Sequence, residues 1–185
     1  LVDGRYSAHS SSDARPEALR GFLGRAIAAT RHLEADPDRG LPEPGQMGSA
    51  DPSLLDVEDP GWAQRTPEQR RTALGNLEAA VLAAADGAPL RSTTAWLWDS
   101  RTESRMHCSN GYAAGWSRTS FGHGGELTLE DSDGRLPEAY DFYSSRHLEN
   151  LPGVESVAAS LVGRGKRRLA SRAVASGKLP MLLEN

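Results

Sequence analysis

The chain is poor in residues that form cross-links or metal clusters. It has one cysteine, Cys108, among 185 residues, which excludes an internal disulfide and fits a reducing, cytoplasmic setting. Long apolar runs are missing as well. No stretch approaches the roughly 20 residues that cross a bilayer as a helix, so no membrane partner is expected. The first residue is Leu1 rather than methionine, and no basic, apolar leader follows it, so no signal peptide is visible. Strand-like sequence at both ends makes the chain read as a piece of a longer protein. Positive charge is not in excess. The 21 Lys and Arg against 25 Asp and Glu leave a net charge of −4, which argues against a general nucleic-acid binder. A CxxC pair, an HExxH helix and a phosphate loop ending in Lys-Ser/Thr are all absent.

What is present suits one ordinary domain, or one and a part. With 38% hydrophobic and 25% charged residues, the chain can bury a core. It is organised around residues 92–143. Ser92–Asp99 has strand composition, with Trp96 and Trp98 on one face and Ala95 and Leu97 on the other. A polar turn at Ser100–Thr102 leads to a second strand, Glu103–Asn110. Asn110-Gly111, the strongest short hairpin signal, reverses the chain into Tyr112–Phe121. Glu126–Glu130 reads as a further strand ended by Asp131-Ser132-Asp133-Gly134, and Tyr140–Tyr143 as one more. The expectation is an α+β fold: a largely antiparallel meander of about four or five strands, with about three helices packed on it.

The helices follow from periodicity. Leu1–Ser10 reads as a strand with a turn at Asp3-Gly4. Pro16 opens a helix whose Leu19, Phe22, Leu23, Ala26, Ile27, Thr30 and Leu33 form an apolar stripe, ended by Asp36-Pro37. Residues 36–65 hold five prolines, among them Pro42 and Pro60, and four glycines. That composition is a long connection between subdomains, pinned to a core by Leu54, Leu55, Val57 and Trp62. Thr66-Pro67-Glu68-Gln69 is a capping box with proline at the first helical position. The helix behind it carries Leu74, Leu77, Val81 and several alanines, and Asp86-Gly87 stops it. A third helix begins near Pro152, with Val154, Val157, Ala158, Leu161, Val162 and Leu169 at helical spacing. Gly163 and Gly165 weaken it by up to about 1 kcal/mol each. Ser176-Gly177 then turns the chain into a strand, Lys178–Glu184. The segments are 1–35, part of an N-terminal α/β domain; 36–65, the connection; 66–150, a middle domain; and 151–185, a helix and a closing strand.

Few residues invite a chemical role. His107, Cys108 and His123 are metal-ligand types, but neighbours on a strand point to opposite faces and zinc needs three or four convergent ligands. Gly122-His123-Gly124-Gly125-Glu126 marks a bulge or a close backbone approach rather than a phosphate loop. Cys108 and Ser109 have no local base and orienting group to make them nucleophiles. Arg164, Lys166, Arg167, Arg168, Arg172 and Lys178 form the one basic cluster, which reads as a solvated or partner-facing surface. Trp96, Trp98, Tyr112, Trp116, Phe121, Tyr140, Phe142 and Tyr143 read as core first and as a partner surface second. No catalytic, cofactor-binding or metal-binding residue is assigned.

The punctuation carries a resemblance. Ser109-Asn110-Gly111-Tyr112, Arg118-Thr119-Ser120-Phe121 and Tyr140-Asp141-Phe142-Tyr143-Ser144-Ser145-Arg146-His147-Leu148 follow in an order and spacing that resembles the TldD/PmbA family. Val2-Asp3-Gly4-Arg5, Arg15-Pro16-Glu17-Ala18-Leu19, Asp36-Pro37-Asp38 with Gly40-Leu41-Pro42, and the closing Leu179–Asn185 extend the likeness over almost the whole chain. These proteins were long labelled modulators of DNA gyrase and are understood as a zinc metallopeptidase pair. The resemblance implies an N-terminal and middle fragment, in which the strand over 178–184 returns towards the N-terminal domain. The turn Ser109-Asn110-Gly111 followed by Thr119-Ser120-Phe121 looks like the PmbA/TldE branch, whose members lack the His-Glu-x-x-x-His zinc motif. It implies no cofactor in this fragment, zinc in a TldD-type partner, a heterodimer or homodimer, and extended or unfolded peptides as substrates. A non-enzymatic interaction module or regulator, touching DNA or a DNA enzyme through the basic third helix, is the alternative. Nucleic acid is the less expected partner, because the basic cluster has no base-stacking aromatics near it in sequence.

Overall fold

Three strands form an open antiparallel sheet in the order β1-β2-β3: β1 (Leu90–His107), β2 (Ala113–Leu129) and β3 (Glu138–Ser145). Among the described residues, three α-helices accompany them: α1 (Pro16–Thr30), α2 (Pro67–Ala84) and α3 (Val154–Lys166). The computed structural model describes residues 1–48, 52–173, 175–178 and 180–183. The fold is α+β, with three strands where four or five are expected. Ser100–Thr102 does not turn. These residues are exposed, and a strand open to water on one side needs apolar residues only on its covered side. Gly122–Gly125 does not break β2 either. Its pairing with β3 runs from Phe121↔Ser145 to Thr128↔Glu138 without a bulge. Lys178 and Pro180–Leu183 form no strand, and the expected Leu179 and Glu184 lie outside the described residues.

The chain divides into two units, Leu1–Ala50 with Arg105–Gly115, and Asp51–Ser104 with Trp116–Asn185. In the first, the expected strand at Leu1–Ser10 reduces to one bridge, Val2↔Arg5, around Asp3 and Gly4 at positive φ. Helix α1 stops at Thr30, short of Asp36-Pro37. Thr30 Oγ1 turns back to donate to Ala26 O (2.7 Å), and the His32 and Leu33 N–H groups tighten onto carbonyls three residues back. Thr30 is the buried residue of α1, while Leu19, Leu23 and Ile27 stay largely exposed. The tip of the β1–β2 hairpin belongs to this unit. Gly111 takes φ +89°, Asn110 Oδ1 accepts the Tyr112 N–H (3.2 Å), and Asn110 Nδ2 donates to Pro42 O (2.9 Å).

The second unit holds the main core. Leu77, Val81 and Ala85 of the α2 segment, Val157, Ala158, Leu161 and Val162 of α3, and Leu127, Leu129 and Ala139 of the sheet bury one another. Thr66 and Gln69 close the capping box at α2: Gln69 N–H donates to Thr66 Oγ1 (3.2 Å) and Thr66 N–H to Gln69 Oε1 (2.8 Å). Gly165 lets α3 approach β2, because a Cβ there would stand 2.6 Å from Leu127 Cδ1. Leu54 and Leu55 are exposed rather than pinned to the core. The Val57–Asp59 stretch is held instead by polar bonds. Thr119 N–H donates to Val57 O (3.0 Å), and Asp59 N–H donates to Thr119 Oγ1 (2.8 Å).

Candidate functional site

The arginines at the end of α3 and the outer strand β3 meet in one open groove of about 710 Å³, lined by residues 139–143 with Arg164, Arg167 and Arg168. Strand period decides what each side presents. Ala139 and Asp141 are buried beneath α3, whereas Tyr140 and Phe142 point the other way and are 61% and 54% exposed. Asp141 is the hub beneath the groove. Its Oδ2 accepts from Ser160 Oγ (2.5 Å) and Tyr143 OH (3.2 Å) and faces Arg164 Nε at 3.3 Å. Arg168 Nη1 donates to Glu138 O (2.6 Å). Tyr140 and Phe142, some 25 residues earlier in the chain, thus border the same groove with their rings on the side away from the arginines.

Of the aromatic set, Phe121 is fully buried and Tyr143 packs against the core. Trp98, Trp116, Tyr140 and Phe142 are exposed. Glycines make room on this side of the sheet. A Cβ at Gly122 would lie 2.0 Å from Trp98 Cζ2, and one at Gly124 would lie 2.4 Å from Asp141 O. The Gly-His-Gly-Gly run is therefore a close approach inside an unbroken strand.

The other singled-out residues do not converge. His107 is exposed at the end of β1, and Cys108 follows it in the hairpin turn, a free thiol whose N–H donates to Tyr112 O (2.9 Å). His123 lies in the other unit, 8% exposed, with its Nε2 buried and without a partner. Burial above all, and the Arg65 charge besides, hold the His123 imidazole below its ordinary pKa, against the pull of the Pro152 main chain. Among the described residues, no three His, Cys, Asp or Glu side chains come together to hold a metal ion. No helix among them is long and apolar enough to cross a membrane.

Several charge networks have no local signature in the sequence. Asp99, its side chain 5% exposed, accepts from Arg65 Nη1 (2.9 Å) and from Arg70 Nε and Nη2 (2.7 and 2.9 Å). The Arg70 guanidinium first, then the Arg65 charge, holds the Asp99 carboxyl below the usual carboxylate range. Thr119 Oγ1 donates to Arg146 O (2.7 Å), Asp59 Oδ2 accepts Leu148 N–H (2.9 Å), and His147 Nε2 meets Asp56 O (2.8 Å). These bonds anchor the chain after β3. A third network fixes the turn after β2. Asp131 accepts from Arg135 Nη2 (3.0 Å) and from Ala170 N–H (2.8 Å), and the same Arg135 reaches Ser171 O (2.7 Å). All three are scaffolding. Apart from the Asp131–Arg135 pair, four residues apart in its turn, these bonds join residues distant in sequence, and no spacing rule reports that.

No family model and no curated protein matches the sequence. Solved structures do. The chain is similar to a candidate modulator of DNA gyrase from Bacteroides thetaiotaomicron VPI-5482, with a TM-score of 0.75 and 24% identity, over 95% of this chain and 40% of that one. It is similar also to a candidate modulator of a DNA gyrase from Thermotoga maritima MSB8, with a TM-score of 0.67 and 11% identity, over 96% of this chain and 38% of that one. This chain therefore spans about two fifths of the length of either protein. In fold, it matches part of proteins described as modulators of DNA gyrase.

Proposed function

We propose that this chain is the N-terminal and middle part of a TldD/PmbA-type protein on the PmbA/TldE-like branch. In that role it is the non-catalytic subunit of a cytoplasmic metallopeptidase assembly that cleaves extended or unfolded peptides. The observation that carries the reading is the fold match along 95% of the chain to a protein described as a modulator of DNA gyrase, the older label of this family. The turn Ser109-Asn110-Gly111 supports the branch, since it resembles the PmbA side. Zinc belongs to a TldD-type partner in this proposal, and this chain supplies scaffold, dimer contacts and one wall of the peptide cleft. The test is zinc content and peptide hydrolysis of the full-length protein, alone and mixed with a TldD-type subunit. Activity and zinc are expected only in the mixture, with the zinc on the partner. Zinc and hydrolysis by the protein alone would make it the catalytic subunit and overturn the branch.

One observation favours a second reading, that of a DNA-contacting regulator: Arg164, Arg167 and Arg168 share a groove with the aromatic Tyr140 and Phe142. That reading requires DNA binding that weakens steeply with salt and is lost on Arg167→Glu with Arg168→Glu.

A further inference from the structure

β3 is the last strand of the sheet, and among the described residues no strand lies beside its outer edge. The register decides which residues face that side. Leu129 N–H donates to Pro137 O (2.9 Å), and in an antiparallel ladder the residues that exchange bonds with the neighbour alternate with those that do not. Residues 137, 139, 141 and 143 therefore turn their main-chain groups to β2, while Glu138, Tyr140 and Phe142 turn theirs outward. The bond from Arg168 Nη1 to Glu138 O confirms the phase, because it needs an outward carbonyl. The outward Phe142 N–H is engaged by Asp141 Oδ1 (3.1 Å). The N–H and C=O of Tyr140 sit at the middle of this edge.

Side chains flank the edge asymmetrically. On the α3 side stand Arg164, which faces the carboxylate of Asp141, with Arg167 and Arg168. On the opposite side stand the exposed rings of Tyr140 and Phe142, with the exposed acid Glu138 beside them. A strand laid along β3 would alternate its side chains between these two environments, with a period of two. We propose that the free edge of β3 takes an extended peptide as a fourth strand, with acidic side chains towards the α3 arginines and apolar side chains beside Tyr140 and Phe142. The proposal deepens the reading above and rests on it for the claim that the peptide is a substrate; it adds the side-chain pattern that the groove selects. Charge complementarity and the outward main chain together favour a peptide. A nucleic-acid strand meets the arginines, but it offers no row of amides to pair with a sheet edge.

The experiment is fluorescence anisotropy on the full-length protein with a labelled peptide of about eight residues, the usual length of such a strand, alternating Asp and Phe. Three further probes accompany it: the same peptide with Lys for Asp, the Asp peptide methylated at alternate amide nitrogens, and single-stranded DNA. The Asp peptide is expected to bind at least about tenfold tighter than the Lys peptide, with the order reversed by Arg167→Glu combined with Arg168→Glu. Amide methylation needs no change to the protein, and is expected to abolish binding. Equal affinity for the Asp and Lys peptides, indifference to methylation, or preference for DNA would each overturn the proposal. Hydrolysis is read separately, with the zinc-bearing subunit present. Patterned binding without hydrolysis keeps the edge site and removes the peptidase reading; hydrolysis indifferent to methylation and to both arginines does the reverse.

Discussion

At Asp99 a single carboxylate holds two guanidinium groups, and their exposure decides what each would do without it. Arg65 has a side chain 8% exposed, whereas that of Arg70 is 31% exposed and can turn to water. Removing Asp99 therefore strands the Arg65 charge, and the cost of an unpaired buried charge exceeds the worth of the pair itself. Asp99→Leu is expected to destabilise by about 3 kcal/mol, read as a lower urea midpoint. Arg65→Met added to Asp99→Leu is expected to recover much of that loss, because no buried charge is then left unpaired. A double variant no more stable than the single one would show that the pair itself, rather than the stranded charge, carries the energy. Nothing in the order of residues advertises this contact. Asp99 reads as the end of a strand and Arg65 as the end of a loop, and only the fold brings them to 2.9 Å.

Helix α3 shows how an element can be legible in outline and still hide its reason. Val157, Ala158, Leu161 and Val162 repeat at helical spacing and are buried together, as periodicity predicts. Gly163 and Gly165 look alike in sequence, both as weak points. In the structure they differ. A Cβ at Gly163 meets no atom closer than Arg167 Nη1 at 3.7 Å, whereas one at Gly165 would stand 2.6 Å from Leu127 Cδ1 and 3.3 Å from Leu129 Cδ1 in the core. Gly163→Ala is therefore expected to stabilise by up to about 1 kcal/mol, the helix-propensity gain. Gly165→Ala makes the same gain but overpacks against Leu127, which is 1% exposed and has little room to yield; a net loss of about 1 kcal/mol or more is expected. Thermal unfolding of the two variants checks the opposite signs, and equal shifts would refute the close approach. The same contrast holds along the sheet. Short-range signals such as the Thr66 capping box, Asn110-Gly111 and Asp131–Gly134 place turns and caps correctly. Polar Ser100–Thr102 and the glycines at 122–125 mimic breaks, because a strand's continuity depends on its neighbours rather than on its own residues. The groove combines a strand and a helix end that sequence distance separates, so its basic half is visible in the sequence, while its aromatic half reads there as core first and partner surface second.

Across the molecule, acid stability turns on which histidine wins. His123 has a folded pKa below its ordinary value, because burial disfavours the charged ring. Below about pH 6.5 the unfolded chain takes up a proton that folded His123 refuses, so this group removes stability as pH falls. His147 has the opposite sign. The Asp56 carbonyl first, then the charges of Asp56, Asp59 and Glu149, raise its pKa against desolvation. Its contribution is fully present below about pH 6.5 and is lost as pH rises through the folded value. Exposure decides between them. The carboxylate facing His147 belongs to Asp56, 88% exposed and screened by water, while His123 is 8% exposed with an unpartnered nitrogen. His123 therefore dominates, and stability is expected to decline on acidification from neutral pH. Near and below about pH 4 the depressed carboxyls of Asp99 and Asp59 deepen the decline, since their stabilisation is lost as they protonate. Urea midpoints measured between about pH 5 and 8, around the histidine range, separate the two rings. His123→Gln is expected to flatten the profile and His147→Gln to steepen it. A wild-type protein that gains stability across that interval on acidification would mean that the contact of His147 with the exposed Asp56 outweighs the buried ring.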